Sequence, residues 1–316
     1  MSHIVLSKNT FSWAIQTGTA EVAVPVFAII TGYFLANSQK RRFWPIFNTI
    51  IVYMLVIILL TLISGIISPK NFDWKSLIYI NNFPWGISVV WYFLGMLIVM
   101  LVAPWLNQLI KTINKYYWIV IFIFWFFLLN AYPRDATTSF FFLDQFKNAI
   151  ELAFYYCVGA WLKTYFVYNK KKPIISFSLL IYAICFALLV CINRINAQWV
   201  SDLHILFGWT QESLCTIVQS IAVFIIFINL NLIIRKWKWL HYLIMYLGMM
   251  SIAIIFLHPT RLIVSVILGA INNPGSLYLL YWILISIVFS IVLTIPAKFC
   301  IDKLNGMVYK IHVGER

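Results

Sequence analysis

Apolar runs of about 18 to 25 residues recur along the whole chain, separated by short polar stretches. A helix of that length matches a hydrocarbon layer ~30 Å thick. Inside a bilayer every backbone N–H and C=O must bond within the protein, so only helices and closed barrels can cross it. The runs lack the alternation of a barrel strand, which leaves helices. Candidate spans fall at 19–37, 45–66, 87–109, 116–131, 148–167, 174–193, 213–234, 246–270 and 277–297. The expected fold is all-α, a polytopic integral membrane bundle of about nine transmembrane helices, with residues 1–316 as one domain. No repeat, low-complexity tract or soluble domain interrupts it. The longest connections lie near 67–86, 132–147 and 194–212.

Hydrophobic residues make up 63% of the chain and charged residues 10%, where a soluble domain is nearer a quarter charged. The net charge of +14 would suit nucleic acid if the cations were pooled on one segment. They sit instead in short clusters between apolar runs, as membrane topology requires, so no nucleic-acid partner is expected. Cys157, Cys185, Cys191, Cys215 and Cys300 show neither a CxxC pair nor metal-ligand spacing. They read as small packing residues, and no metal is expected.

Lys and Arg set the orientation. Lys40, Arg41 and Arg42 follow the first span, Lys111 and Lys115 the third, and Lys170, Lys171 and Lys172 the fifth. Arg235, Lys236 and Lys238 follow the seventh, and Lys298, Lys303, Lys310 and Arg316 the ninth. The intervening loops hold Asp73, Asp135, Asp144, Asp202 and Glu212. This alternation predicts a cytoplasmic C-terminus and an extracytoplasmic segment 1–18. Richness in Ile, Phe and Asn points to a bacterial gene, hence a multi-pass protein of the cytoplasmic (inner) membrane. Residues 1–18 are too polar to span and lack the basic start and apolar core of a signal peptide. An outside N-terminus is the less common arrangement, so a further helix is expected upstream of Met1. An in-frame apolar segment just upstream in the gene would support that expectation, and an immediate upstream stop codon would remove it.

Val24-Pro25-Val26-Phe27-Ala28-Ile29-Ile30-Thr31-Gly32-Tyr33-Phe34-Leu35 resembles the second helix of the membrane acyltransferase 3 family, with Thr31 where Ser is usual. Trp91-Tyr92-Phe93 resembles the family's L-W-F-L/F helix start, and Pro104 the proline that often ends that helix. Phe154-Tyr155-Tyr156-Cys157-Val158-Gly159-Ala160 is similar to its F-x-x-G helix. Ser251-Ile252-Ala253-Ile254-Ile255-Phe256-Leu257-His258-Pro259 is similar to its S-x-x-I-Y-x-x-H segment. The order and spacing of these motifs carry the resemblance across essentially the whole chain.

The resemblance implies a ten-helix fold. It also implies transfer of an acyl group, usually acetyl, from a cytoplasmic thioester such as acetyl-CoA to a hydroxyl of a carbohydrate or lipid-linked acceptor. No bound cofactor follows from it; acetyl-CoA is a co-substrate. The family's first helix carries an Arg and, about ten residues later, a His placed in the transfer chemistry. His3 lies 22 residues before Pro25, close to where that His would sit, while the preceding Arg lies outside this sequence.

His3 is then the expected general base, because imidazole titrates near neutrality and can take the acceptor's proton; the plain alternative is a bystander in the N-terminal segment. His258 is an ionisable group in an apolar helix, which marks a functional candidate or an interhelical hydrogen bond. Glu21 stands at the outer end of the first span, where a carboxylate favours the helix dipole, and is a second possible partner of His3. Lys40, Arg41 and Arg42 can hold the donor's phosphates, although positive-inside topology alone also places cations there. Trp91 and Tyr92 can line a pocket or belong to the interfacial aromatic belt. Tyr155 and Tyr156 stand mid-span, where a buried hydroxyl needs a partner, and complete the candidate pocket. A transporter or flippase shares this composition, but the chain carries no inverted repeat and no paired intramembrane charges. An acyltransferase fold that no longer reacts is the third reading.

Overall fold

A computed structural model of the protein describes residues 21–38, 87–131, 141–166, 173–194 and 213–234. It also describes 47–52, 237–240, 295–306 and the positions 44, 55, 58, 59, 62, 66, 242 and 292. Among these residues the regular elements are helices. We label the six continuous ones α1 (Ala23–Leu35), α2 (Ile87–Thr112), α3 (Lys115–Ala131), α4 (Phe141–Tyr165), α5 (Pro173–Arg194) and α6 (Leu214–Ile234). They fall on the expected spans from 19 to 37 and from 87 to 234. The expected spans at 45–66, 246–270 and 277–297 lie mostly outside the described residues.

Two helices among the described residues are long and apolar enough to cross a membrane, Tyr92–Thr112 and Ile174–Cys191. The apolar stretches Ala23–Leu35, Lys115–Asn130 and Leu214–Leu230 are shorter. At 1.5 Å per residue the 13 residues of α1 cover only ~20 Å. The described helices therefore do not by themselves establish nine crossings.

Two boundaries differ from expectation for identifiable reasons. Helix α4 begins at Phe141, inside the stretch read as a connection at 132–147. An apolar count stops at Asp144, Gln145 and Lys147, but helical backbone bonding needs no apolar side chains and continues through them. Pro104 was expected to resemble a helix-ending proline, yet α2 carries it in its interior and runs on to Thr112. Proline removes one backbone bond and is tolerated where neighbouring helices hold the next turn.

The chain divides into two units, one of residues 1–41 and 94–237, the other of residues 42–93 and 238–316. In the first, α1 and α4 cross with backbones in direct contact. A Cβ on Gly32 would strike the carbonyl of Tyr156, and one on Gly159 would strike the carbonyl of Ile29. Close crossings through small residues suit a bilayer, where packing rather than water exclusion drives association. Pro25 sits in the first turn of α1, where its missing N–H has no intrahelical partner to lose. Thr31 satisfies its hydroxyl on its own helix, donating to the Phe27 carbonyl at 2.8 Å, so Thr serves where the related helices have Ser.

Helix α4 is the axis of this unit. Gly95 of α2 lies against Ala149 and Leu152, while further along Tyr165 reaches the Ile110 and Ile113 carbonyls. Helices α2 and α4 thus run in the same direction. Helix α3 returns the other way. Trp161 donates to the Lys115 carbonyl at 3.3 Å, and Phe154 meets Phe122 and Trp125 edge-on at 5.7 and 5.8 Å. Asn114 caps α3 by accepting from the Tyr116 N–H at 3.1 Å. Ser213 does the same for α6 through the Thr216 N–H at 3.3 Å. Such caps satisfy orphan donors of the first turn. Helix α5 packs on α6 around Cys185, Leu189 and Cys215, and both cysteines are unlinked thiols.

In the second unit Asn48 donates to the side-chain oxygen of Asn305 at 2.7 Å. Tyr92 and Phe93 meet edge-on at 5.2 Å.

Candidate functional site

The expected donor-binding cluster begins two residues beyond the described part of α1, and the root of that segment is held by a buried polar relay. After the last turn of α1 the Ser38 N–H bonds the Leu35 carbonyl at 2.8 Å. The side-chain amide of Asn107, on α2, donates to the same Leu35 carbonyl at 2.8 Å and to the Ser38 carbonyl at 3.1 Å. Tyr156, on α4, donates its hydroxyl to the Asn107 side-chain oxygen at 3.0 Å. Three helices are thereby tied at one point, and the orphan carbonyl of Leu35 at the end of α1 is satisfied. Tyr156 is fully buried and Asn107 nearly so.

Cations gather at the same end. Lys111 lies in the last turn of α2 and Lys163 in the last turn of α4; Lys115 opens α3. All three are exposed. Lysines in last turns complement the negative ends of the helix dipoles. Lys163 stands over the ring of Tyr33, 4.8 Å from its centroid, a cation–π contact that leaves its ammonium hydrogens free to bond elsewhere. Tyr165 offers one hydroxyl hydrogen to the Ile110 or Ile113 carbonyl, 2.7 and 2.8 Å away.

Of the residues singled out by sequence, His3, Lys40, Arg41, Arg42 and His258 lie outside the described residues. The backbone of Trp91 is in α2, its side chain outside the description. Glu21 sits just ahead of Val22, which occupies the N-cap position of α1 without a side-chain cap. Tyr92 is half-buried, and Tyr155 and Tyr156 are buried in the bundle. The partner expected for a mid-span hydroxyl is Asn107 in the case of Tyr156. Two hollows among the described residues are lined by other side chains. One of about 570 Å³ lies between α5 and α6, and a smaller one adjoins it beside Tyr33.

The structure adds residues that the sequence reading passed over. Asn107 is one. Glu151 is another, a carboxyl-bearing side chain only 1% exposed within α4. Gln219 of α6 is fully buried, and neither of its amide atoms finds a hydrogen-bond partner among the described residues. Each was visible as a polar letter inside an apolar run, the signal by which intramembrane polar groups are found. Counting Lys and Arg alone does not register them.

The family of acyltransferase domains matches residues 2–297 of this chain. No curated protein and no solved structure matches it.

Proposed function

This chain belongs to that acyltransferase family, whose members are membrane proteins, and from this membership we propose that it moves acetyl from acetyl-CoA to a hydroxyl of a cell-envelope glycan or lipid-linked sugar. The acceptor oxygen attacks the thioester carbonyl, a C–O bond forms, and the C–S bond breaks. His3 takes the proton from the attacking hydroxyl and returns it to the leaving thiolate. General base catalysis of this kind contributes on the order of 10²–10⁴-fold.

The observation that carries the donor side is the cationic end of the bundle. The relay from Tyr156 through Asn107 holds Leu35 and Ser38, so the chain leaves α1 from a fixed point just ahead of Lys40, Arg41 and Arg42. Lys111 and Lys115 are exposed at that same end. A polyphosphate donor needs several cations held within reach of one another. Positive-inside topology favours cations at this end.

The test is transfer of labelled acetyl from acetyl-CoA to envelope glycan in cells expressing the gene's complete reading frame, with and without His3→Ala. Transfer that disappears with His3→Ala supports both the reaction and its base. A folded, well-expressed protein that labels no glycan removes the reading.

A further inference from the structure

An apolar hollow among the described residues shares no lining residue with the relay. It runs between α5 and α6 and occupies about 570 Å³, within the ~300–1,000 Å³ typical of a small-molecule site. Phe166, Ile174, Phe177, Val218, Ile221 and Ile225 line it. Helix α5 supplies one of the two segments long and apolar enough to cross a membrane, and most of that segment lies at the protein surface. Phe177, for example, is 63% exposed. The groove therefore opens where lipid chains lie.

A cation stands one aromatic ring away from the hollow that adjoins this groove. Phe166 follows directly on α4, three residues after Lys163. The smaller hollow shares Phe166 and Ile225 with the groove and is closed by Tyr33. The Lys163 ammonium sits over that same Tyr33 ring. The aromatic face holds the cation beside the residues that line the smaller hollow, while its hydrogens remain available. An apolar trough of this size near an exposed lysine matches a molecule with a long hydrocarbon chain and an anionic head. Basic pockets between spanning helices bind acidic phospholipids for this reason.

We propose that the α5–α6 groove is a binding site for an anionic phospholipid, one acyl chain lying along Phe177, Val218 and Ile221 and the phosphate held by Lys163. The proposal does not rest on the acyl-transfer reading, and its test does not depend on that chemistry.

The experiment is native mass spectrometry of the full-length protein after incubation with equal amounts of phosphatidylglycerol and phosphatidylcholine bearing identical chains. A single lysine beside an acidic lipid is worth about 1 kcal/mol, so phosphatidylglycerol is retained about fivefold over phosphatidylcholine. Lys163→Gln, a surface change, brings that ratio to about one while retention of both lipids continues. Ile221→Trp fills the groove and lowers retention of both. Equal retention of the two lipids by the unaltered protein overturns the proposal. So does a preference that survives Lys163→Gln in protein with an unchanged thermal midpoint, whatever the behaviour of Ile221→Trp.

Discussion

Tyr156 donates its hydroxyl to Asn107 across 3.0 Å in the interior of the bundle, and Asn107 passes the connection on to the carbonyls of Leu35, at the end of α1, and Ser38, just beyond it. The two side chains are 49 residues apart in sequence. The relay thus holds the Leu35 and Ser38 carbonyls where α1 ends.

Removing one side of this bond should cost less than removing its centre. Tyr156→Phe deletes one donor and leaves the Asn107 oxygen unsatisfied, a loss of about 1–3 kcal/mol. Asn107→Ala deletes the bonds to Leu35, Ser38 and Tyr156 together. Its thermal midpoint in detergent should fall further than that of Tyr156→Phe. Equal midpoints for the two variants would mean the amide carries no more than its bond to the phenol.

The glycine crossing should tolerate nothing larger. Gly32→Ala places a methyl against the Tyr156 carbonyl, and Gly159→Ala places one against the Ile29 carbonyl. Backbone cannot yield as a flexible side chain does, so each costs about 3 kcal/mol or more. Gly306→Ala is the matched control, because a Cβ there meets nothing within 4 Å. Folded yield after membrane extraction should collapse for the first two and hold for the third.

Gln219 is expected to behave in the opposite sense from most buried residues. Its amide is fully buried with both polar atoms unpartnered among the described residues, which carries a desolvation cost of about 1–3 kcal/mol. Gln219→Met keeps the volume and removes the cost, so the thermal midpoint should rise or hold. A clear fall would show that the amide is bonded in the folded protein.

The donor cluster predicts a kinetic separation. Replacing Lys40, Arg41 and Arg42 with Gln together should raise the KM for acetyl-CoA by about tenfold or more, since charge-assisted bonds to phosphate are worth about 1.5–3 kcal/mol each. The maximal rate at saturating donor should change little. A lowered maximal rate with unchanged KM would place these residues outside the donor site.

Apolar run length located α1 through α6, because a segment that must bond its own backbone in lipid has few alternatives to a helix. The motif around Gly32 and the one around Gly159 were legible as family resemblances, and the family match over residues 2–297 agrees with them. The sequence could not show that these two glycines meet each other's helix, since their separation along the chain carries no information about distance in space. Nor could it show that Tyr156 bonds Asn107, that Lys163 stands over Tyr33, or that Phe166 and Ile221 line one groove. Each depends on which face of one helix turns toward another. In a chain apolar on nearly every face, hydrophobic periodicity does not mark a buried side, and only tertiary packing chooses it.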